Sequence, residues 1–122
     1  MPFVIDRPKG YRKVFQTAHG SMEQAYPLDY GYARGIINPQ DGMEADVFVG
    51  SGGPIHGRFM KGQPDGRGGF RPDEYKWFTG LTGEEYTRLY AWWHNAHDEG
   101  VTWDWVLLDS REDVLADMRR AA

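Results

Sequence analysis

Three acidic residues occur close together in the chain, just before an apolar stretch. Asp41, Glu44 and Asp46 lie in the segment 41–50, where a turn leads into the apolar residues 47–49. Carboxylates at the edge of a strand suit a hard cation such as Mg²⁺, which takes oxygen ligands, keeps several waters and bridges to substrate phosphates. A turn with solvated acids has the same pattern. The segment therefore predicts either a magnesium-assisted phosphate site or an ordinary polar turn.

Short strands in the first half of the chain would position these acids. β-branched and aromatic residues favour strands at 3–5 and 11–17, with a turn signal of proline and glycine at 8–10 between them. This order predicts two neighbouring antiparallel strands. A similar composition at 30–32 and 45–49 continues the pattern, so the acidic turn would connect two further strands.

Glycine and proline are dense in the middle of the chain, from 50 to 72. Such a density of residues that interrupt regular structure predicts a long loop, with one short strand at 58–60. Loops of this length in compact domains are often functional, and disorder is the plain alternative.

The second half of the chain has a helical period. Thr82 and Glu85 have the spacing of a capping box, and apolar residues then recur on one face, which predicts a helix over 83–97. Alternating apolar residues predict a half-buried strand over 103–107, and Ser110 precedes a last amphipathic helix. Strands followed by helices indicate an α+β domain, with two C-terminal helices packed on a small β-barrel or a curled antiparallel sheet.

Composition limits the classes of protein that fit. The chain has 122 residues, 40% of them hydrophobic, so we expect a single domain over 1–122. The net charge of −4 argues against a general nucleic-acid-binding protein, which needs clustered lysine and arginine. The chain has no cysteine and no apolar run of signal or membrane length. We therefore expect a cytoplasmic protein that binds neither nucleic acid nor membrane.

Two segments carry a resemblance to a known family. Residues 26–32 (YPLDYGY) and 41–50 (DGMEADVFVG) resemble the signature of soluble inorganic pyrophosphatases, in which a tyrosine-rich strand precedes an acidic metal-binding turn and an apolar strand. The end of the second segment is also similar to the short pyrophosphatase-like domains of phage and prophage polyvalent proteins. The resemblance implies a pyrophosphatase or OB-like barrel. It also implies hydrolysis of pyrophosphate to two phosphates with Mg²⁺, or Mn²⁺, as cofactor.

The resemblance also implies roles for single residues. Asp41 and Asp46 match metal-binding aspartates, Asp6 stands in place of a metal-site glutamate, and Tyr30 matches a tyrosine that contacts phosphate. The second acidic cluster of the family is represented here by Asp65.

Cationic residues complete this set. Lys61 and Arg67 flank Asp65 as candidates for binding the leaving phosphate, and a flexible surface connection is the alternative reading of this region. Arg12 follows the turn at 8–10 and is a candidate phosphate contact, or a solvated surface charge. His97 stands where the family has a phosphate-binding lysine.

Several family positions are altered. Met43 occupies the position of the aspartate that activates the nucleophilic water, and a thioether is neither a general base nor a good Mg²⁺ ligand, which leaves Glu44 as the candidate. Val14 and Gln16 stand where the family has a phosphate-binding lysine and a glutamate. Lys13 could replace the phosphate-binding lysine only if the strand slipped by one residue, which would turn its side chains to the opposite face. We expect the in-register arrangement.

The candidate site is therefore defined by three roles. The catalytic residues are Asp41, Asp46, Glu44 and Tyr30; the substrate-binding residues are Arg12, Tyr30, Lys61 and His97; the metal ligands are Asp41, Asp46, Asp6 and Asp65. A non-catalytic module that binds a partner or a nucleotide-like ligand is the competing hypothesis, and a hydrolase of a larger phosphoanhydride is the third. Exposed aromatic side chains would favour a homo-oligomer.

Overall fold

A computed structural model describes residues 2–17, 20–96 and 101–121. These ranges contain eight strands and two helices. In chain order they are β1 (Phe3–Arg7), β2 (Arg12–Thr17), β3 (Gly20–Ala25), β4 (Asp29–Ile37), β5 (Glu44–Val49), β6 (Ile55–Pro64), β7 (Phe70–Leu81), α1 (Gly83–Ala96), β8 (Thr102–Leu108) and α2 (Arg111–Ala121).

Six of these strands form one mixed sheet in the order β1-β4-β5-β7-β6-β8. β5 and β7 run parallel, and the other neighbouring pairs are antiparallel. β2 and β3 form a separate antiparallel hairpin. The domain is therefore α+β, as predicted from the order of the elements.

Two details of the predicted sheet are wrong. β1 pairs with β4, and β2 pairs with β3, so the first two strands are not neighbours. The turn between them leads into the hairpin, whose base is fixed by hydrogen bonds from the N–H of Gly10 to the carbonyl of Tyr26 and from the N–H of Tyr26 to the carbonyl of Tyr11. Within the described ranges β1 and β8 remain the two edges of an open sheet, so no closed barrel forms.

The loop predicted over 50–72 is wrong for most of its length. β6 lies inside this range and pairs with β7 on one side and with β8 on the other. Two glycines that suggested a loop are required by these pairings. A Cβ atom at Gly57 would lie 2.1 Å from the carbonyl oxygen of Val106, and one at Gly62 would lie 2.4 Å from the ring of Trp103. Glycine here marks a close approach of neighbouring groups within a strand.

The central strands face two hydrophobic cores. Phe48 and Phe78 belong to the core that includes α1, whereas Val47 and Trp77 belong to the core that includes α2. All four side chains are fully buried. Because successive side chains of a strand point to opposite faces, the two helices cover opposite faces of the sheet.

Both helices begin where the sequence predicts. The hydroxyl of Thr82 accepts a hydrogen bond from the N–H of Glu85 (3.2 Å), and the Glu85 carboxylate accepts one from the N–H of Thr82 (2.9 Å). At α2, the Ser110 hydroxyl accepts a hydrogen bond from the N–H of Asp113 (3.1 Å). In the part of the chain that the structure describes, neither helix has the length and apolar character of a membrane span.

The carboxylate of Asp117 fixes α2 to the sheet. It accepts hydrogen bonds from Arg58 of β6 (2.9 Å) and from the indole N–H of Trp77 of β7 (2.9 Å). We expect Asp117→Ala to lower the free energy of unfolding by about 2–4 kcal/mol, because Arg58 and Trp77 lose their acceptor. Urea denaturation measures this loss. Glu112→Ala removes an exposed carboxylate from the same helix and should change the value by less than about 0.5 kcal/mol, so equal effects of the two variants would contradict the assignment.

Candidate functional site

A cleft of about 580 Å³ lies on the face of the sheet that α1 covers. Asp46 of β5 and Lys76 of β7 line it, and each lies two residues before a phenylalanine of the α1 core, so they point to the same face. The parallel register of β5 and β7 places these two residues side by side. The turn before β5 and the β2–β3 hairpin contribute further lining residues.

Three carboxylates converge in this cleft. Each of three residues offers one carboxylate oxygen, and these three atoms lie within 4.8 Å of one another: they belong to Asp41, Asp46 and Glu74. The Asp41 carboxylate is held in the turn before β5 by a hydrogen bond from the N–H of Met43 (2.9 Å), whereas Asp46 and Glu74 come from β5 and β7. Such a concentration of negative charge, partly removed from water, requires a cation or protonation.

Lys76 supplies one positive charge to the cluster. Its ammonium group lies 2.9 Å from Asp46 and 3.1 Å from Glu74, and it donates a hydrogen bond to the Tyr30 hydroxyl at 2.7 Å. Burial would lower the pKa of Lys76, but the Tyr30 hydroxyl and the two carboxylates outweigh it and hold the pKa well above its usual value. Lys76 is therefore a permanent buried cation.

Asp41 and Glu74 form an acid pair with different proton affinities. Burial raises the pKa of Glu74 to about 7, against the opposing charge of Lys76, and the hydrogen bond with Asp41 and the charge of Asp46 add to the rise. Burial also acts to raise the pKa of Asp41, but hydrogen bonds from Glu74 and from the N–H of Met43 bring it below its usual value. When the pair holds one proton, that proton therefore resides on Glu74, and Glu74 loses it as the pH rises through about 7.

The cluster fits a divalent cation. The Oε2 atom of Glu74 is buried and, among the described residues, has no hydrogen-bond partner. A proton shared with Asp41 or a metal ion would satisfy it. Oxygen ligands of an octahedral Mg²⁺ are about 3 Å apart when adjacent and about 4 Å apart when opposite, so the three atoms, which lie within 4.8 Å, would move closer together around an ion. Asp41, Asp46 and Glu74 are therefore the described residues that could hold a metal ion together.

Arg7 and Lys13 face the same cleft without a carboxylate partner in the described ranges. Arg7 donates a hydrogen bond to the Tyr26 hydroxyl (2.7 Å), and the ammonium of Lys13 lies 5.2 Å from the centroid of the Phe15 ring. Burial makes the largest contribution to lowering the pKa of Lys13, and repulsion from Arg7 and other cations lowers it further. Neither cation forms an ion pair among the described residues, so both can bind an anionic ligand, although the cleft also holds five carboxylates.

β2 presents Lys13 to the cleft, contrary to the in-register expectation. Val14, which that expectation placed at the site, is 54% exposed and does not line the cleft. Among the strands that the structure describes, β2 pairs only with β3, so its register against the main sheet is not set by strand pairing. The side chain of Gln16 lies outside the described part of the chain.

Most of the residues predicted from the sequence do meet in the cleft. They are Asp6, Tyr30, Asp41, Glu44, Asp46 and Lys61. One carboxylate oxygen of Glu44 accepts a hydrogen bond from the N–H of Gly35 (2.7 Å), and Lys61 pairs with Asp73 (2.7 Å). Met43 also lines the cleft and is 66% exposed. One carboxylate oxygen of Glu44 is therefore occupied by the backbone, which competes with the use of that oxygen as a base.

Tyr30 has a different environment from the one predicted. Its side chain is buried, which raises its pKa well above the usual value, so the hydroxyl stays protonated. The hydroxyl accepts a hydrogen bond from Lys76 and donates one to Asp46. Tyr30 therefore orients two charged residues of the cluster, while its contact with phosphate stays a prediction.

The structure does not bring the other predicted residues into the cleft. Arg12 forms an exposed ion pair with Glu23 on the hairpin. Asp65 lies in the turn between β6 and β7, where it accepts a hydrogen bond from the N–H of Arg67 (2.7 Å), and neither of these two residues lines the cleft. Asp65 therefore lies outside the cleft that holds the other predicted metal ligands. His97 lies outside the described residues.

Sequence reasoning missed three residues of the site: Arg7, Glu74 and Lys76. A signal for the last two exists, because Glu74 and Lys76 alternate just before the apolar residues 77–78, as Glu44 and Asp46 do before an apolar run. Alternation places both side chains on one strand face. Arg7 follows the predicted Asp6 directly and had no separate signal.

Comparisons with models of protein families, with curated proteins and with solved structures each found no match to this chain.

Proposed function

We propose that the protein is a metal-dependent phosphoanhydride hydrolase that acts on pyrophosphate. The observation that carries this proposal is the convergence of Asp41, Asp46 and Glu74 within 4.8 Å, in one cleft with Arg7 and Lys13. A phosphoanhydride presents a dense group of negative oxygens, and its hydrolysis needs cations placed around them and a positioned water. The cleft offers both a site for a divalent cation and two basic side chains.

The side chains divide these tasks by charge. The three carboxylates would hold Mg²⁺ or Mn²⁺, which when bound neutralises phosphate oxygens and lowers the pKa of a coordinated water. Arg7 and Lys13 bind phosphate oxygens directly, and Lys76 fixes Asp46 and Glu74 in position. A bond forms between the water oxygen and one phosphorus atom, and the bond from that phosphorus to the bridging oxygen breaks.

The resemblance of residues 26–50 to the pyrophosphatase signature supports the same reaction. Met43 removes the acid that activates water in that family, and the neighbouring Glu44 already accepts a hydrogen bond from the N–H of Gly35. A bound metal ion would lower the pKa of the water that it coordinates, and a dedicated protein base would then be partly dispensable.

A phosphate-binding module without turnover is the second candidate. Lys76 favours it, because its ammonium already neutralises Asp46 and Glu74 and so weakens their attraction for a divalent cation. Met43 favours it as well.

Release of phosphate from pyrophosphate by the purified protein, with Mg²⁺ and then with Mn²⁺, tests the proposal. We expect Asp41→Asn to lower kcat by at least about a hundredfold, because a charged ligand of the metal site is lost. Asp65→Asn makes the same chemical change in the turn between β6 and β7, outside the cleft, and should keep the wild-type rate. The pair of variants also excludes turnover by a contaminating host enzyme.

Two results would contradict the proposal. Equal loss of activity in both variants would mean that the carboxylate cluster is not the site. Binding of pyrophosphate without metal-dependent release of phosphate, in protein with an unchanged circular dichroism spectrum, would favour the second candidate.

A further inference from the structure

The cleft exceeds what pyrophosphate requires, and part of its wall is aromatic. Its volume of about 580 Å³ is within the range of roughly 300–1,000 Å³ found for sites that hold drug-sized organic ligands. Phe15 of β2 and Trp92 of α1 both line it, with ring centroids 6.0 Å apart. Both rings are half-buried, unlike the neighbouring Trp93, which is 4% exposed. They therefore retain surface that a ligand can contact.

The hairpin brings a cation and an aromatic ring into the cleft from one face of β2. Lys13 and Phe15 are two residues apart and so share that face, with the ammonium 5.2 Å from the ring centroid. Tyr26 packs beside Phe15 at 6.5 Å between ring centroids, and its hydroxyl accepts a hydrogen bond from Arg7. The cations without carboxylate partners thus adjoin the aromatic wall.

Two neighbouring tyrosines connect this wall to the carboxylate cluster. The rings of Tyr26 and Tyr30 lie 5.3 Å apart, and the Tyr30 hydroxyl contacts Lys76. A single ligand with a planar ring at one end and phosphates at the other can therefore contact both parts of the cleft.

We propose that the site also takes a nucleoside polyphosphate, whose base lies against Phe15 and Trp92 and whose phosphates lie between Arg7, Lys13 and the carboxylate cluster. This inference rests on the proposed function, because it names the substrate class of the same site. Nucleobases stack on aromatic rings through their planar faces, and an inorganic phosphoanhydride has no group that can do so.

The reaction adds one water across one phosphoanhydride bond. The water oxygen bonds to a phosphorus atom, the bond from that phosphorus to the bridging oxygen breaks, and the bridging oxygen leaves with the other phosphate group. The protons of the water pass to the product phosphates and to solvent. Nothing is oxidised or reduced, so no further reactant is needed.

The ratio of kcat/KM for ATP to kcat/KM for inorganic tripolyphosphate tests this inference, since both carry three phosphates and only ATP carries a base. We expect a ratio above about ten for the wild-type protein, and a fall of about tenfold in this ratio for Phe15→Leu and for Trp92→Leu. Phe70→Leu changes an exposed phenylalanine outside the cleft and should leave the ratio unchanged. Partial unfolding of a variant would lower kcat/KM for both substrates by the same factor, so it would leave this ratio unchanged.

Other outcomes separate the two proposals. A wild-type ratio near one, or a ratio that Phe15→Leu leaves unchanged, would overturn the nucleotide inference while the hydrolase proposal stands. If no phosphoanhydride is hydrolysed with either metal, the proposed function fails, and calorimetric binding of ATP and of tripolyphosphate then decides the inference. Tighter binding of ATP that is lost in Phe15→Leu would support a base-binding wall, and equal binding of the two probes would overturn it.

Discussion

Replacing Glu74 by glutamine is expected to make the metal-free protein more stable at about pH 8, by on the order of 2 kcal/mol. Burial raises the pKa of Glu74 to about 7 in the folded protein, so folding favours the protonated carboxyl. The stabilisation that this proton provides is complete below the unfolded pKa and is lost as the pH rises through about 7. Glutamine stays neutral and avoids that loss, so the difference between variant and wild type should nearly vanish at about pH 4.

The same substitution should remove the response to metal. Millimolar Mg²⁺ is expected to raise the melting temperature of the wild-type protein and not that of Glu74→Gln, because a neutral amide is a poor ligand in this cluster. Thermal denaturation at the two pH values, with and without Mg²⁺, measures both effects. Glu84→Gln, on the exposed face of α1, should behave as the wild type throughout. A variant that is less stable than the wild type at about pH 8 would mean that Lys76 outweighs the burial of Glu74.

The elements with strong local signals are the ones that the sequence predicts well. The capping residues Thr82 and Ser110 mark the starts of both helices, because a cap satisfies backbone groups within a few residues of itself. The acids Asp41 and Asp46 are likewise close in the chain, and their place beside a strand follows from the local pattern. These predictions need no knowledge of distant partners.

The errors concern contacts between distant segments. Glycine is a poor strand former in isolation, so the sequence predicts a loop over most of β6, yet Gly57 and Gly62 are required where β6 passes close to β8. The parallel pairing of β5 with β7 brings Glu74 and Lys76 to Asp46 across some 30 residues of chain, and no local spacing encodes that pairing. The resemblance instead assigns the second acidic cluster to Asp65, which lies in the turn between β6 and β7.

Lys76→Met is expected to lower the free energy of unfolding of the metal-free protein by about 3–5 kcal/mol at about pH 8. Lys76 is the buried cation between Asp46 and Glu74, and methionine has a similar length without the charge. Without the ammonium, the carboxylates of the cluster repel one another and bind protons more tightly. The loss should therefore be smaller at about pH 5, where protonation relieves the repulsion, and millimolar Mg²⁺ should partly restore stability by replacing the missing charge.

Urea denaturation at the two pH values, with and without Mg²⁺, measures this loss, and Lys61→Met provides the matched control. Lys61 pairs with Asp73 where both side chains are partly exposed, so its replacement should cost less than about 1 kcal/mol and respond little to pH. If Lys76→Met does not fold, Lys76→Arg keeps the charge and should retain most of the stability, which separates loss of charge from loss of shape. A stable Lys76→Met protein that is insensitive to both pH and Mg²⁺ would mean that the three carboxylates do not form one electrostatic unit, and the metal site built on them would then fail as well.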